Sequence, residues 1–537
     1  MRKVPLHALT PVEDVPADDL VRCWVEALGA PPPGADVGFL QAGGHSLAAI
    51  RLSGSIARRW GVRIPLTAFL RDDISLTELR RHLPAGAPHA RAAVARRPDP
   101  SRAALSPDQR RIWMTQLIFP DSPAYNVIGA LDCRGGVDPT ALEKAWHRLV
   151  TQYEVLRTTV EDDGGGLYQC VHDDMTPSPG TFRHRTVPPA GNGWDEQVSS
   201  FAGDLADLPF DSGQLPRAVL GLLTETGAER FAVVLVMDHL ISDMASLDLM
   251  WDALGEHYAV ESGARQASGE VLQPIQYGDL IAAIEDDPGH RARSLAFWRS
   301  TLSGAASEFR LPFQAARPER PSFRGAAVTE ELPDDVSRQL RQLGKARRVS
   351  PAMPVLASYA HVLARWGQQS DVVIGVPVSG RESEDAQETV GFFMRTVPLR
   401  LRVPAGPLDA ELVETVADAL LSAVEHSSVP FDEIVAAVGA PRDLARNPLF
   451  QVWFNDVTQA ASRTSFGAHQ SRAVTPRVRW SLFDLGLYVH RAPSGTYRLE
   501  LAYATDLWHE ATARRFLTQC VSDLRSLVTF DKPPAGG

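Results

Sequence analysis

Asp238-His239-Leu240-Ile241-Ser242-Asp243-Met244 closes an apolar, β-rich run, Phe231-Ala232-Val233-Val234-Leu235-Val236-Met237. It also opens a segment with Leu247, Met250, Trp251, Leu254 and Tyr258 at helical spacing. The pattern predicts a buried strand ending on a turn that carries an imidazole, with a carboxylate four residues on and a helix behind it. A strand end is rigid and its loop can face a cavity, so His239 stands where a general base would. Read alone, one His and one Asp at a strand terminus also satisfy turn hydrogen bonds, and a motif this short matches by accident. The rest of the chain decides between the two.

Its 537 residues predict about three or four domain-sized units. A hydrophobic content of 44% with 22% charged residues is ordinary for a soluble globular protein. The net charge of −11 argues against a nucleic-acid binder or a basic membrane-surface protein. Cys23, Cys133, Cys170 and Cys520 show neither C-x-x-C nor zinc-type spacing, so neither a disulfide framework nor a metal site is expected. The N-terminus lacks a signal-peptide apolar core and no apolar run is long enough for a bilayer, which predicts a cytoplasmic protein. A monomer is expected.

Leu20, Cys23, Trp24, Ala27 and Leu28 form one face of a helix over 18–30. Phe39-Leu40-Gln41-Ala42-Gly43-Gly44-His45-Ser46-Leu47 leads into a second helix running from about Ser46 to Trp60, where Gly61 stops it. Ser75 followed by Glu78 is a capping box for a last short helix. Residues 84–104 are rich in Pro, Ala and Arg without apolar periodicity. They read as a linker whose charges (Arg91, Arg96, Arg97, Arg102) are solvated.

Gly43-Gly44-His45-Ser46-Leu47, with Phe39-Leu40 before it and Arg63-Ile64-Pro65-Leu66 after it, resembles the peptidyl carrier (thiolation) domain of nonribosomal peptide synthetases. The resemblance implies 4′-phosphopantetheine carried covalently on Ser46. A serine presented by glycines at a helix N-terminus suits a phosphodiester, because the helix dipole favours the anion. Further segments, in order, resemble those of condensation domains. They are Ser106–Trp113 (with Asp108 for the usual Ala), Tyr153–Thr158, Tyr277-Gly278-Asp279, Val390–Leu399 (with Arg395 for the usual Asn), Val429–Asp432 and Arg442–Phe450. The opening stretch resembles the family's H-H-x-x-x-D-G, with Asp238 at its first His and Met244 at its Gly. Val4–Pro11 faintly resembles the tail of an adenylation domain, suggesting a piece of a longer assembly line.

The resemblance implies a small all-α four-helix carrier bundle followed by an α/β condensation domain of two chloramphenicol-acetyltransferase-like halves with a tunnel between them. The expected boundaries are 12–84 for the carrier, 85–104 for the linker, and 105–275 and 276–530 for the halves. It implies transfer of a carrier-bound aminoacyl or peptidyl thioester to an acceptor amine. His239 would be the acid–base or orienting residue, and Asp243 would hold the loop through an ion pair with Arg157 or Arg381. An upstream adenylation domain, a downstream acceptor carrier domain and a phosphopantetheinyl transferase are the implied partners. Met244 is placed to narrow the tunnel, Asp238 to perturb His239 if it faces the substrate, and Arg395 either to pair with Asp238 or to bind a substrate carboxylate. The two altered motif positions keep two other readings open: a platform that recruits a trans-acting partner, and a domain performing dehydration, cyclisation or ester formation on the thioester.

Overall fold

The computed structural model describes residues 19–44, 46–62, 64–84, 94–164, 166–173, 180–189, 193–227, 229–266, 274–284, 287–306, 308–458, 465–476, 478–492 and 494–530. They divide into two compact units, the first carrying the first four helices and the second every strand. His45, Arg91 and Val4–Pro11 lie outside the described residues.

The first unit is built from α1 (Asp19–Leu28), α2 (Ser46–Trp60), α3 (Leu66–Leu70) and α4 (Leu76–His82). The stripe of α1 buries Leu20, Cys23, Trp24 and Ala27. Trp24 meets Phe39 edge-to-face at 5.7 Å, and Phe39 meets Phe69 at 5.2 Å. The expected capping box starts α4: Ser75 Oγ accepts from the Glu78 N–H, and the Glu78 carboxylate accepts from the Ser75 N–H at 2.8 Å. Phe39 also explains the paired glycines. Gly43 sits at φ +93°, open to glycine without strain, and a Cβ on Gly44 would run into the Phe39 ring.

The second unit contains the strands β1 (Arg102–Ala104), β2 (Asn126–Arg134), β3 (Thr158–Asp162), β4 (Leu167–Val171), β5 (Phe182–Val187), β6 (Ala218–Glu225) and β7 (Arg230–Asp238). They are followed by β8 (Gly325–Glu331), β9 (Asp371–Ser379), β10 (Met394–Arg402), β11 (Val452–Asp456), β12 (Ser465–Phe466), β13 (His469–Val474), β14 (Leu485–Arg491) and β15 (Tyr497–Ala504). Its helices are α5 (Pro107–Ile118), α6 (Pro139–Gln152), α7 (Trp194–Ala206), α8 (Met244–Glu261), α9 (Tyr277–Ala282), α10 (Pro288–Leu302), α11 (Asp334–Arg347, as far as Leu343), α12 (Ala352–Gly367), α13 (Glu384–Glu388), α14 (Ala410–Glu425), α15 (Phe431–Val438) and α16 (Glu510–Phe530).

One six-stranded sheet runs β12-β13-β2-β7-β6-β5 and a second β10-β9-β11-β14-β15-β8; a small sheet runs β1-β4-β3. β7 is central, antiparallel to both neighbours. Phe231, Val233, Leu235 and Met237 enter a core shared with Trp146, Leu247 and Trp251 of α6 and α8. Ala232, Val234 and Val236 enter the opposite core, against Trp194 and Phe201 of α7. Both faces are covered, so the strand reads as an unbroken apolar run rather than an alternating one.

Two expectations are corrected. The chain does not part cleanly at 275: β13, from the second half, pairs antiparallel with β2 through Ser471↔Cys133 to Val474↔Ala130. The arginines of the linker are not all solvated either. Arg97 is buried and pairs through Nη1 with Asp279 at 3.0 Å and through Nη2 with Glu154 at 2.6 Å; Arg96 reaches Asp279 at 2.8 Å. A Cβ on Gly278 would meet Arg97. Tyr277-Gly278-Asp279 is therefore a receptor for the chain entering this unit.

Candidate active site

β7 delivers Asp238 as its last residue, fully buried. Its Oδ2 accepts from Arg217, equally buried. Oδ1 accepts from Gln116 Nε2 at 2.9 Å and from the Leu240 N–H at 2.8 Å. The Asp238 N–H donates to the Arg217 carbonyl at 3.0 Å, and its own carbonyl accepts from Ser242 Oγ at 2.8 Å. Asp238 thus fixes the turn on which His239 stands. The expected pairing of Asp238 with Arg395 is not formed; Arg395 binds Glu382 at 2.8 Å. Arg217 wins because β6 and β7 are in register, which brings a cation one residue before Ala218 beside an anion one residue after Met237.

His239 is held by its backbone N–H, which donates to the Tyr125 carbonyl at 2.8 Å, and by Nδ1, 2.7 Å from the Ser242 carbonyl. A carbonyl only accepts, so Nδ1 carries the proton and the lone pair lies on Nε2. The ring packs edge-on to Phe392 at 5.1 Å and tilted to Tyr125 at 6.5 Å. Burial pushes this imidazole below its ordinary pKa, against the opposing pull of the Ser242 carbonyl, Asp243 and Asp238. It is neutral near pH 7.

Asp243 caps α8, Oδ1 accepting from the Ser246 N–H at 2.8 Å. Arg381 grips the same carboxylate with Nη2 at 2.6 Å and Nε at 3.2 Å, and the Phe393 N–H donates to Oδ2 at 3.2 Å. Arg381 also donates to the carbonyls of Ala386 and Thr389. Ser246 Oγ donates to the Gly391 carbonyl at 2.7 Å, and Tyr277 Oη to that of Phe392 at 2.8 Å. The loop bearing Phe392 is thereby stapled against His239. Of the two arginines considered for Asp243, Arg381 takes it. Arg157 instead donates to the His172 carbonyl at 2.9 Å and pairs with Asp173 at 3.2 Å. Met244, the first residue of α8, is 47% exposed.

Sequence reading overlooked Gln116, Tyr125, Arg217 and Phe392. Only Arg217 left a trace: a lone arginine at the head of an apolar run, mirrored by Asp238 at the tail of the next. Among the described residues, Glu161, Cys170 and His172 are close enough to hold a metal ion. Neighbours already engage two of them: His172 Nε2 lies 2.7 Å from Thr159 Oγ1, and Tyr168 Oη donates to Glu161 at 2.9 Å.

In the first unit Ser46 is the first residue of α2, a 15-residue helix with no acidic side chain in its first turn. The backbone N–H groups at such an end favour an anion. The site fits a phosphodiester.

Residues 101–529 match the condensation domain family and residues 18–83 the family described as phosphopantetheine attachment site. The chain belongs to the condensation domain family, with a domain for covalent 4′-phosphopantetheine ahead of it. Over 95% of its length it is 30% identical to a stretch making up 10% of one of the linear gramicidin synthase subunits from Brevibacillus parabrevis. Over 94% it is 29% identical to 21% of the dimodular nonribosomal peptide synthase of Bacillus subtilis strain 168. The chain thus spans a small part of these relatives. The X-domain from teicoplanin biosynthesis shares the fold at TM-score 0.70 and 24% identity, over 82% of this chain and 97% of that one. Among the described residues no helix is long and apolar enough to cross a membrane.

Proposed function

We propose that the chain transfers an aminoacyl or peptidyl group, held as a carrier-bound thioester, to the amine of an acceptor, forming an amide bond. When bound on Ser46, the phosphopantetheine arm supplies the thiol that presents an acyl group. The observation that carries the reading is the unprotonated Nε2 of His239, its tautomer set by the Ser242 carbonyl. A free α-amine has a pKa near ~8, so part of it is already neutral at pH 7, and alignment of the two substrates can supply up to about 7–11 kcal/mol. His239 Nε2 orients the amine and takes its proton as nitrogen adds to the acyl carbonyl; the C–S bond then breaks and that proton leaves with the thiol, a contribution of about 10²–10⁴-fold. Asp243 and Arg381 hold the loop. Asp238 has no direct role, because it is sealed under the turn. An adenylation domain upstream, an acceptor carrier downstream and a phosphopantetheinyl transferase complete the proposed setting.

Intact-protein mass spectrometry tests this. Ser46 is loaded with a panel of aminoacyl-pantetheines, an acceptor-loaded carrier is added, and the wild type is compared with His239→Ala. Transfer to the acceptor, lost in the variant, is the expected result. Loss of water from the donor alone would point to dehydration or cyclisation instead. A second reading is favoured by one observation: the teicoplanin X-domain, alike in fold, is known in a complex with OxyB. If every donor stays in place while a partner protein is specifically retained, this chain is a recruitment platform.

A further inference from the structure

Beside His239 lies a cleft of about 170 Å³, between the C-terminal end of α5 and the loops preceding β8, β11 and β14. Its walls are Ile118, Phe119, Tyr125, Phe323, Leu444 and Phe483. Tyr125 joins it to the imidazole, since its carbonyl accepts the His239 N–H and its ring faces the His239 ring. An apolar cavity of about 150 Å³ takes a benzene ring, so this cleft has room for a single aromatic side chain.

Two properties of this cleft say what it takes. First, its charges are matched internally. Arg317 pairs with Asp484 (Nη1–Oδ1 2.9 Å), Arg446 with Asp443 at 2.8 Å, and Asp506 with Arg324 at 3.3 Å. The fixed charges of the cleft are thus already countered, and the aromatic and aliphatic walls remain to be met by an uncharged side chain. Second, Phe323 sits at φ +55°, a conformation that is strained for a bulky residue and persists only where its surroundings impose it. The Ser481 N–H donates to its carbonyl at 2.8 Å, and its ring lies edge-on to Phe119 at 4.9 Å, across the two halves of the unit. Ile118 and Leu444, 39% and 53% exposed, leave an apolar rim.

We propose that this cleft binds the large apolar side chain, aromatic by preference, of one of the two thioester substrates, with Phe323 as its specificity-determining residue. The proposal rests on the condensation reading in that His239 marks the reacting end.

The test measures binding and transfer separately on the full chain. Saturation-transfer NMR follows N-acetylcysteamine thioesters of phenylalanine, alanine and aspartate. Transfer of the same acyl groups is followed by mass spectrometry, with each residue offered once as donor and once as acceptor. We expect the phenylalanyl thioester to bind at least tenfold more tightly than the other two, in one of the two roles, which names the substrate that occupies the cleft. The preference should vanish in Phe323→Ala and in Ile118→Asp, a partly exposed position where folding is not at stake, and should survive in His239→Ala. Selective binding without transfer keeps the cleft and removes the condensation reading. Transfer without side-chain preference, or a preference unchanged in both cleft variants, overturns the cleft and leaves the condensation reading standing.

Discussion

At the residue scale, the chemistry turns on three neighbours with three different duties. His239 offers a lone pair, Asp243 holds the loop, and Asp238 holds the turn from beneath. An ion pair that is fully buried on both sides gains little over an apolar pair, but removing one partner strands a charge at about 3–5 kcal/mol. Arg217→Met should therefore lower unfolding free energy by that amount in urea titration. Adding Asp238→Asn should recover part of it, since an amide oxygen still accepts the Leu240 N–H. A single variant indistinguishable from wild type would mean the pair is not formed. His239 and His361 make opposite predictions for pH. Burial holds His239 below the ordinary imidazole value of ~6.5. The unfolded chain therefore takes up its proton first, and stability falls as pH drops below ~6.5 toward the folded value. His361 is raised by its hydrogen bond to Asp523 (2.6 Å) and by the Gly406 carbonyl (2.8 Å). Its contribution is complete below ~6.5 and is lost as pH rises through the folded value. Imidazole titrations by NMR should place the two on either side of ~6.5, and the acid limb of the transfer rate should follow His239.

At the scale of elements, the strands and helices next to the site were legible and their partners were not. The unbroken run 231–237, the start of α2 at Ser46 and the Ser75–Glu78 box are local patterns, and local physics decides them. That Arg381 rather than Arg157 takes Asp243 depends on a pair far apart in sequence that only packing brings together, and that Arg395 takes Glu382 depends on how β9 and β10 pair. The α8 cap shows the cost of such a pair. Arg381→Ala leaves Asp243 buried without its counter-charge and removes the donors to Ala386 and Thr389, so a loss of about 3–5 kcal/mol is expected in chemical denaturation. Arg381→Lys should restore little of it, because an ammonium lacks the planar fork. Gly391→Ala should be as harmful, since its Cβ would collide with Tyr277, itself fully buried. A melt of either variant within a degree or two of wild type would contradict this arrangement.

At the scale of the molecule, the two sheets of the second unit are not independent bodies. Phe466, on β12, is fully buried between Phe231 and Trp251 of the first half, at 6.5 and 6.2 Å. Truncating it should cost about 3–5 kcal/mol. Because it is chained to the second half and packed in the first, unfolding of the variant should remain one transition, followed identically by tryptophan fluorescence and far-UV circular dichroism. Two separated transitions would show the halves to be autonomous. None of this was readable from 465–474, which carries no apolar alternation of its own and owes its place to the open edge of β2.

The β12–β13 excursion also constrains how synthetases can be recombined. A chimera that joins the first half of this domain to the second half of a relative at 275 would graft foreign residues onto the edge of β2 and into the native pocket formed by Phe231, Trp251 and Tyr258. Such a hybrid inherits a mismatched plug unless residues 465–474 travel with the half they cover. The natural cut for exchange therefore lies outside the domain, or comprises two cuts rather than one.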